Sequence, residues 1–401
     1  MLITLQYLED SPELLSLSKN EVIEKLKYAF DKLPVTHLLI GWHVPDPLLE
    51  ACKKECEKNG TKFIRWQPLL TGDGVISPRE SWQVTSVLGK KIPGFQNMPE
   101  FTFICPNCAE ASGRINEHIV HLTDLGLYDG LFLDRIRYPS PASNPVEKLG
   151  CFCSSCKEKA LKIGFDLEEF QTVLQRSTAS IQGKLELIHG LFGREMEDKK
   201  DSIRGRIAKW MDFREESITD FVNHISNLLV KKGLDVGLDC FSPSLTRMVG
   251  QNLTKIGQYA NWIKVMSYAH THGPAGLPFE IIDLFNYLIE CTNKNEEEIG
   301  TLLSELLDLP LPNGIQLLRE NGLSPQALQK EIQKGKTLAS IPVLAGLELV
   351  EIPGVATLSD KQILLDHNAV LGTGVDGLSI SWDLHHIPNH RLDLISSIWL
   401  K

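Results

Sequence analysis

The sequence predicts an α/β fold, a (β/α)₈ barrel with helical insertions after the fourth and sixth strands. Eight short apolar runs recur along the 401 residues, and each is followed by helix-compatible sequence. Runs such as Gly130 to Leu133 are apolar throughout, which is typical of parallel strands buried on both faces. A doubly wound sheet is the competing arrangement, but Gln6 to Ser11 lacks the glycine-rich phosphate loop that such a sheet places after its first strand.

The strands and helices alternate from the first residues onward. The helix Lys19 to Lys32 is predicted by Val22, Leu26 and Phe30 at helical spacing, and Asn59-Gly60 is a helix-stop signal. The predicted strands are Ile3 to Tyr7, Thr36 to Gly41, Lys62 to Trp66, Gly130 to Leu133, Asp235 to Phe241, Trp262 to Tyr268, Ile341 to Val350 and Gly377 to Trp382. The other helices predicted between and after them are Pro47 to Asn59, Glu110 to Leu125, Trp210 to Leu229 and Leu392 to Leu400.

Two long segments without a strand signal interrupt this alternation. Residues 157–208 and 276–336 have helical patterns, so we expect one barrel domain over residues 1–401 with helical insertions at these two places. Leu69 to Phe101 is rich in Gly, Ser and Pro, and a loop of this length is often functional, such as a lid over a site. The apolar stretch Phe101 to Cys105 would extend the path of the third strand.

The bulk composition limits the function classes. A net charge of −10 argues against a nucleic-acid-binding surface, and no apolar run approaches the roughly 20 residues that span a membrane. Met1 to Asp10 has no basic region followed by an apolar core, and nine cysteines, an odd number, do not suggest a disulfide framework. We therefore expect a cytoplasmic protein without a secretory signal, and homo-oligomerisation stays open.

Asp134 is the first candidate for chemistry. Barrels bind ligands at the carboxyl ends of their strands, and Asp134 follows the fourth apolar run directly. Arg135, Arg137 and Tyr138 come next in the chain, so a charged cluster is expected at this strand end. The structural alternative is an aspartate that caps the turn or pairs with a neighbouring arginine.

Other strand ends add aromatic and acidic side chains to the same mouth. Aromatic faces stack on sugar CH surfaces, and carboxylates hydrogen-bond hydroxyls and carry acid/base chemistry, so this combination predicts a carbohydrate site. The further candidate substrate-binding residues are Trp42, His43, Trp66, Asp239, Tyr268, His270, Glu351 and Asp383.

Glycosidic cleavage needs two carboxyl groups, and we expect Asp134 and Glu348 to form the catalytic pair. With the two-residue period of a strand, Leu344, Gly346 and Glu348 share one face, and Gly346 leaves room in the barrel interior. Asp239 is a rival partner. The acid and nucleophile roles depend on burial and neighbours, so the sequence does not assign them.

Histidines raise the question of a catalytic metal. His270-Thr271-His272 and His385-His386 offer possible ligands, but Gln6 to Asp10 lacks the His-x-His that amidohydrolase-type barrels carry after the first strand. A metal-dependent hydrolase is therefore kept only as a third hypothesis, and no organic cofactor is expected.

Five cysteines bracket the fourth strand: Cys105 and Cys108 before it, and Cys151, Cys153 and Cys156 after it. Four thiolates in closely spaced groups suffice for a tetrahedral structural Zn²⁺. Unligated thiols and an iron–sulfur cluster are the alternatives.

The cysteine spacing resembles the zinc-binding layout of glycoside hydrolase family 42. That resemblance covers about residues 101–165 and implies Cys105, Cys151, Cys153 and Cys156 as ligands, with Cys108 as the spare. The stretch Tyr128 to Pro139 is similar to uncharacterised glycoside-hydrolase-like barrels with an aspartate at this place. Family 42 enzymes end the fourth strand in Asn-Glu where this chain has Asp134-Arg135, and Glu348 matches their seventh-strand nucleophile by position only.

The sequence thus predicts a hydrolase, a glycosidase acting on a glycoside or oligosaccharide at the barrel mouth. The alternative is a non-catalytic carbohydrate-binding or scaffold barrel in which Asp134 only pairs with an arginine.

Overall fold

Eight parallel strands close into a barrel in the computed structural model, which describes residues 1–9, 16–72, 77–193, 202–312 and 314–399. The predicted fold class is confirmed. A short antiparallel hairpin, β8 and β9, follows the seventh barrel strand. The strands are β1 Leu2–Tyr7, β2 His37–Ile40, β3 Lys62–Pro68, β4 Gly130–Asp134, β5 Asp235–Cys240, β6 Trp262–Val265, β7 Val343–Glu348, β8 Glu351–Ile352, β9 Ala356–Thr357 and β10 Gly377–Ser381.

Helices follow the barrel strands and cover the outside of the barrel. The long β4–β5 crossover helix α8, for example, buries an apolar face that includes Trp210, Ile218 and Ile225. The helices are α1 Lys19–Lys32, α2 Asp46–Asn59, α3 Ala109–Asp124, α4 Pro145–Lys148, α5 Ser154–Lys162, α6 Leu167–Ser177, α7 Ile181–Phe192, α8 Ile203–Val230, α9 Leu253–Ile256, α10 Leu277–Cys291, α11 Glu296–Leu307, α12 Ile315–Asn321, α13 Pro325–Leu338, α14 Asp360–Leu371 and α15 Asn389–Trp399.

The two expected insertions fall in helical parts of the chain. Helices α4 to α8 lie between β4 and β5, α9 lies between β5 and β6, and α10 to α13 lie between β6 and β7. Residues 194–201, within the first expected insertion, lie outside the described residues. No helix among the described residues combines the length and the apolar character needed to cross a bilayer.

The segment Phe101 to Cys105 does not extend the path of β3. Phe103 and Ile104 instead form isolated antiparallel bridges with Thr71 and Gln83, inside the long loop that follows β3. The expected extension of the third strand is wrong, because the loop folds back and this apolar sequence pairs with earlier residues of the same loop.

Local signals explain where the helices begin and end. Ser18 and Glu21 form a reciprocal capping box at the start of α1. Gly60 ends α2 with a φ of 71°, a left-handed conformation that glycine adopts without the steric cost of a Cβ atom.

The lower part of the barrel interior is filled by large side chains. Phe132 and Trp262 stack at 5.2 Å between ring centroids, and they pack in one cluster with Leu39, Ile64 and Leu344. Gly237 makes room for this stack, because a Cβ atom there would lie 2.2 Å from the Trp262 ring. The barrel is therefore a packed core at this level.

Gly346 has a similar role one layer higher. A Cβ atom at this position would lie 2.9 Å from the Tyr268 ring and 3.4 Å from the Lys264 side chain. The expectation that Gly346 leaves room inside the barrel agrees with this geometry, and the room is occupied by a tyrosine and a lysine.

Candidate functional site

A cavity of about 240 Å³ opens at the carboxyl ends of the barrel strands. Its wall combines acids, cations and aromatic rings from most of the strand ends. The lining residues are Gln6, Glu9, Trp66, Phe101, Asp134, Arg135, Arg137, Asp239, Lys264, Met266, Tyr268, Thr271, Gly273, Pro274, Ala275, Val355 and Trp382.

Asp134 is the last residue of β4 and is held by two N–H donors. The Trp66 indole donates to Oδ2 at 3.0 Å, and the Arg135 backbone N–H donates to Oδ1. Arg135 has a φ of 52°, a left-handed conformation that is rare for a residue with a side chain. Such backbone strain is concentrated at functional sites. No ion pair within the described residues joins Asp134 to Arg135 or Arg137. The structure therefore does not support the alternative in which Asp134 only pairs with a neighbouring arginine.

Asp239 stands beside Asp134 on the neighbouring strand. The register pairs Leu133 with Leu238, so the two aspartates follow at matching positions of β4 and β5. Burial raises the pKa of Asp239 to about 7, with the Lys264 ammonium acting against the rise and the Asp134 charge adding to it. Oδ2 lies 3.1 Å from Lys264 Nζ, and Oδ1 has no partner among the described residues. Asp239 is thus suited to holding a proton near neutral pH.

Lys264 is a fully buried cation under the cavity. Its ammonium donates to Gln6 Oε1 at 2.9 Å and lies 5.2 Å from the centre of the Tyr268 ring. Ser381 Oγ donates to the same Gln6 oxygen at 3.0 Å. Burial also raises the pKa of Tyr268 to about 12, so this phenol is a hydrogen-bond donor at neutral pH.

Glu348 ends β7 on the inward face, as expected, but does not line the cavity. Its carboxylate accepts the His270 backbone N–H at 3.0 Å and the Thr271 hydroxyl, so the loop after β6 covers it. His270 in turn lies 2.8 Å from Asp366 through its Nε2. Burial raises the pKa of Glu348, and His270 opposes that rise. Glu348 is therefore placed to position the loop that carries Thr271 into the cavity wall.

Asp383, like Glu348, holds a loop by hydrogen bonds, in this case the residues that follow β1. It accepts the backbone N–H groups of Leu8, Glu9 and His385 at 3.2, 2.7 and 2.8 Å. It does not line the cavity, whereas Glu9, which it holds, does.

Trp66, Arg135 and Arg137 are the other expected residues that face the cavity. Trp42 packs edge-on against Trp66 at 5.2 Å, and its backbone oxygen accepts a hydrogen bond from buried Arg65, so Trp42 supports Trp66 from behind. Arg137 lies between the rings of Phe103 and Phe241, at 4.7 and 4.5 Å. Burial lowers the pKa of Arg137 to about 10, which leaves it charged.

Three further expected residues lie away from the cavity wall. His43 is exposed on the edge of Trp42. Glu351 is half-exposed in the β8–β9 hairpin and pairs with Arg391 at 3.6 Å. Tyr138 is fully buried against Arg214, whose guanidinium lies 4.6 Å from the ring centre and donates to the backbone oxygens of Gly150 and Met248.

Several cavity residues were not singled out from the sequence. Lys264 had a usable signal, because it is the one charge in the apolar run Trp262-Ile-Lys-Val-Met266, and a lone cation in a buried strand needs a partner. Trp382 follows the last barrel strand and packs on Tyr268 at 5.7 Å, as a strand-end aromatic would. Phe101 had no such signal, because it reaches the cavity from a loop.

Four cysteines from two segments form a second candidate site. The sulfur atoms of Cys105, Cys151, Cys153 and Cys156 all lie within 4.8 Å of one another. Cys105 Sγ is 3.4 Å from Cys156 Sγ and 3.5 Å from Cys153 Sγ. Zn–S bonds of about 2.3 Å in a tetrahedron give S–S distances of roughly 3.8 Å, so the cluster has the dimensions of a metal site.

The surroundings of the cluster also suit metal-bound thiolates. The Asn107 amide donates to Cys156 Sγ at 3.2 Å, and the Thr85 backbone N–H donates to Cys151 Sγ at 3.4 Å. Cys108 is buried nearby but is not part of the group. Within the described part of the chain, this is the one group of side chains close enough together to hold a metal ion, and no histidine belongs to it.

Comparisons with known proteins agree on the architecture. The structure superposes on the PgaB (BpsB) glycoside hydrolase domain from Bordetella bronchiseptica with a TM-score of 0.57, at 11% identity, over 99% of this chain and 98% of that one. It also superposes on alpha-L-fucosidase isoenzyme 2 from Paenibacillus thiaminolyticus with a TM-score of 0.51, at 11% identity, over 100% of this chain and 48% of that one. At such identities the likeness shows the shared fold.

No family model matches the sequence, and no curated protein matches it either. The resemblance of the cysteine spacing to glycoside hydrolase family 42 stays a prediction.

Proposed function

We propose that this protein is a glycoside hydrolase that cleaves a glycosidic bond at the barrel mouth with Asp134 and Asp239. The observation that carries the proposal is the pair of carboxyl groups at matching positions of two adjacent strands, inside a cavity walled by Trp66, Tyr268 and Trp382. The two solved structures compared above are a glycoside hydrolase domain and a fucosidase, which supports the reaction class.

The two aspartates have different surroundings and therefore different proposed roles. Asp239 has a pKa of about 7, so it can hold a proton and donate it to the leaving oxygen. Asp134 is held by N–H donors on both oxygens, an arrangement that presents a carboxylate to attack the anomeric carbon or to activate water. Glu348, the partner expected from the sequence, is assigned instead to holding the loop that contains Thr271.

A panel of 4-nitrophenyl glycosides and reducing-end-labelled oligosaccharides tests the reaction class. We expect the wild type to hydrolyse at least one of them, and Asp134→Asn to lower its kcat/KM by about 10³-fold or more, because the variant lacks the attacking or activating carboxylate. Asp220→Asn, an exposed carboxylate on α8, is the matched control and keeps the wild-type rate.

Binding of a sugar without turnover in the wild type would overturn the proposal in favour of a carbohydrate-binding barrel. Equal turnover by the wild type and Asp134→Asn would remove Asp134 from the reaction.

We further propose that the cysteine cluster holds one structural Zn²⁺. Four thiolates leave no open coordination position, so the ion would fasten the loop before α3 to the segment before α5 and take no part in hydrolysis. The compartment we propose is a reducing one such as the cytoplasm, where the thiols stay available to the metal.

A further inference from the structure

A second cavity of about 450 Å³ adjoins the barrel-mouth cavity. Phe101, Arg137 and Pro274 belong to the walls of both cavities, so the two cavities are adjacent, and we refer to them together as the groove. The second cavity is formed by the long loop after β3, the loop after β4 and the start of α10. It contains neither Asp134 nor Asp239.

Three half-buried phenylalanines run along this groove. Phe95 packs edge-on against Phe101 at 6.3 Å and against Phe279 at 5.7 Å between ring centroids. Phe101 borders both cavities, and Phe95 and Phe279 border the second one only. A row of half-buried rings that continues from the reaction centre offers apolar surface against which successive sugar rings can pack.

Arg137 supplies a buried polar group at the junction of the two cavities. Its Nη1 donates to the Tyr138 backbone oxygen at 3.1 Å, but its Nε has no partner among the described residues. An unsatisfied donor on a buried charge costs free energy, and a ligand hydroxyl at the junction would remove that cost.

Among the described residues, the charges around the second cavity balance. Arg137 and Lys148 are opposed by Glu280 and Asp283. Both oxygens of Glu280 are already used, by the Ser140 hydroxyl and by the Ala275 backbone N–H at 3.0 Å. A site with neither sign in excess favours an uncharged ligand over a polyanion or a polycation.

We propose that the second cavity is a subsite for further sugar rings of the same uncharged oligosaccharide whose scissile bond lies at Asp134. The substrate is therefore a chain that spans both cavities. This inference rests on the proposed function and adds the length and charge class of the substrate.

The test compares two substrates of the sugar that the wild type hydrolyses: its 4-nitrophenyl monoglycoside and its tetrasaccharide. We expect Phe279→Ala to lower the ratio of kcat/KM for the tetrasaccharide to kcat/KM for the monoglycoside by about tenfold, the effect of losing one ring contact. Phe95→Ala is the second variant, with circular dichroism as the check on folding. Phe192→Ala removes a phenyl ring that borders a different cavity. It is the matched control and keeps the wild-type ratio.

An unchanged ratio in both groove variants overturns the subsite, even when both substrates are hydrolysed. Hydrolysis of neither substrate by the wild type instead overturns the proposed function. Preference of the wild type for a charged oligosaccharide of the same length over the neutral one contradicts the charge class.

Discussion

The cysteine cluster and the barrel-mouth cavity are both assembled from segments far apart in the chain, but they differ in what they leave unsatisfied. In the cluster, four cysteine sulfur atoms lie close together and accept hydrogen bonds from surrounding N–H groups. In the cavity region, three buried polar atoms have no partner among the described residues: Gln6 Nε2, Arg137 Nε and Asp239 Oδ1. Four identical ligand atoms close together suit one permanently bound metal ion. Buried donors and acceptors without partners suit a substrate that binds and leaves.

The largest expected effect comes from removing one ligand of the cysteine cluster. Cys151→Ser removes one of four ligands, so we expect the bound zinc to fall from one ion per chain to none and the melting temperature to drop sharply. A structural Zn²⁺ site contributes on the order of 10 kcal/mol to folding. Plasma mass spectrometry and thermal unfolding measure the two quantities. Cys108→Ser is the control, because this buried thiol lies outside the group and should leave metal content unchanged. If wild-type protein purified in the presence of zinc contained no metal, the assignment of a zinc site would be wrong.

The next effect concerns the proton donor in the cavity. We expect Asp239→Asn to lower kcat by about 10²–10⁴-fold on substrates with poor leaving groups, because an amide cannot protonate the leaving oxygen. The loss should be much smaller for 4-nitrophenyl glycosides, whose leaving group departs without a proton. Steady-state kinetics on both substrate types provide the measurement, and equal losses on the two would show that Asp239 is not the acid.

The pH profile sharpens the same assignment. Because Asp239 must carry a proton and its pKa is about 7, wild-type activity should fall by about tenfold per pH unit above that value. The Asp239→Asn profile should lack this limb. The raised pKa also means that the folded chain binds this proton more tightly than the unfolded chain. Its contribution to stability is therefore fully present at low pH and is lost as the pH rises through about 7.

The smallest effect distinguishes positioning from catalysis at Glu348. Replacing Glu348 by Gln weakens the hydrogen bonds to His270 and Thr271, and losses of this kind amount to about 10- to 100-fold in kcat/KM. Azide added to Glu348→Ala is the decisive readout, since it restores activity only where a nucleophilic or basic carboxylate is missing. Rescue by azide would return Glu348 to the catalytic pair, in the nucleophile or base role proposed for Asp134.

These two regions also differ in how far the sequence predicts them. Three of the four clustered cysteines lie within six residues of each other, so local spacing brings most of the ligand set together. The strand period placed Glu348 on the inward face of β7, which is correct. Whether an inward acid reaches the cavity depends on the loop after β6, which folds over Glu348, and no local pattern encodes that contact. The burial that raises the pKa of Asp239 is a property of the closed barrel for the same reason.

Arg214 ties the two regions into one unit of stability. It is fully buried on α8, it binds the backbone oxygen of Gly150 next to the cysteine segment, and it stacks on Tyr138 in the loop that follows Asp134. Opening of the β4 loop would therefore expose an unpaired guanidinium and loosen the cysteine segment at once. Heat should melt the catalytic mouth and the cysteine segment in a single cooperative step. Amide protons of the two segments should then exchange with solvent at matched rates.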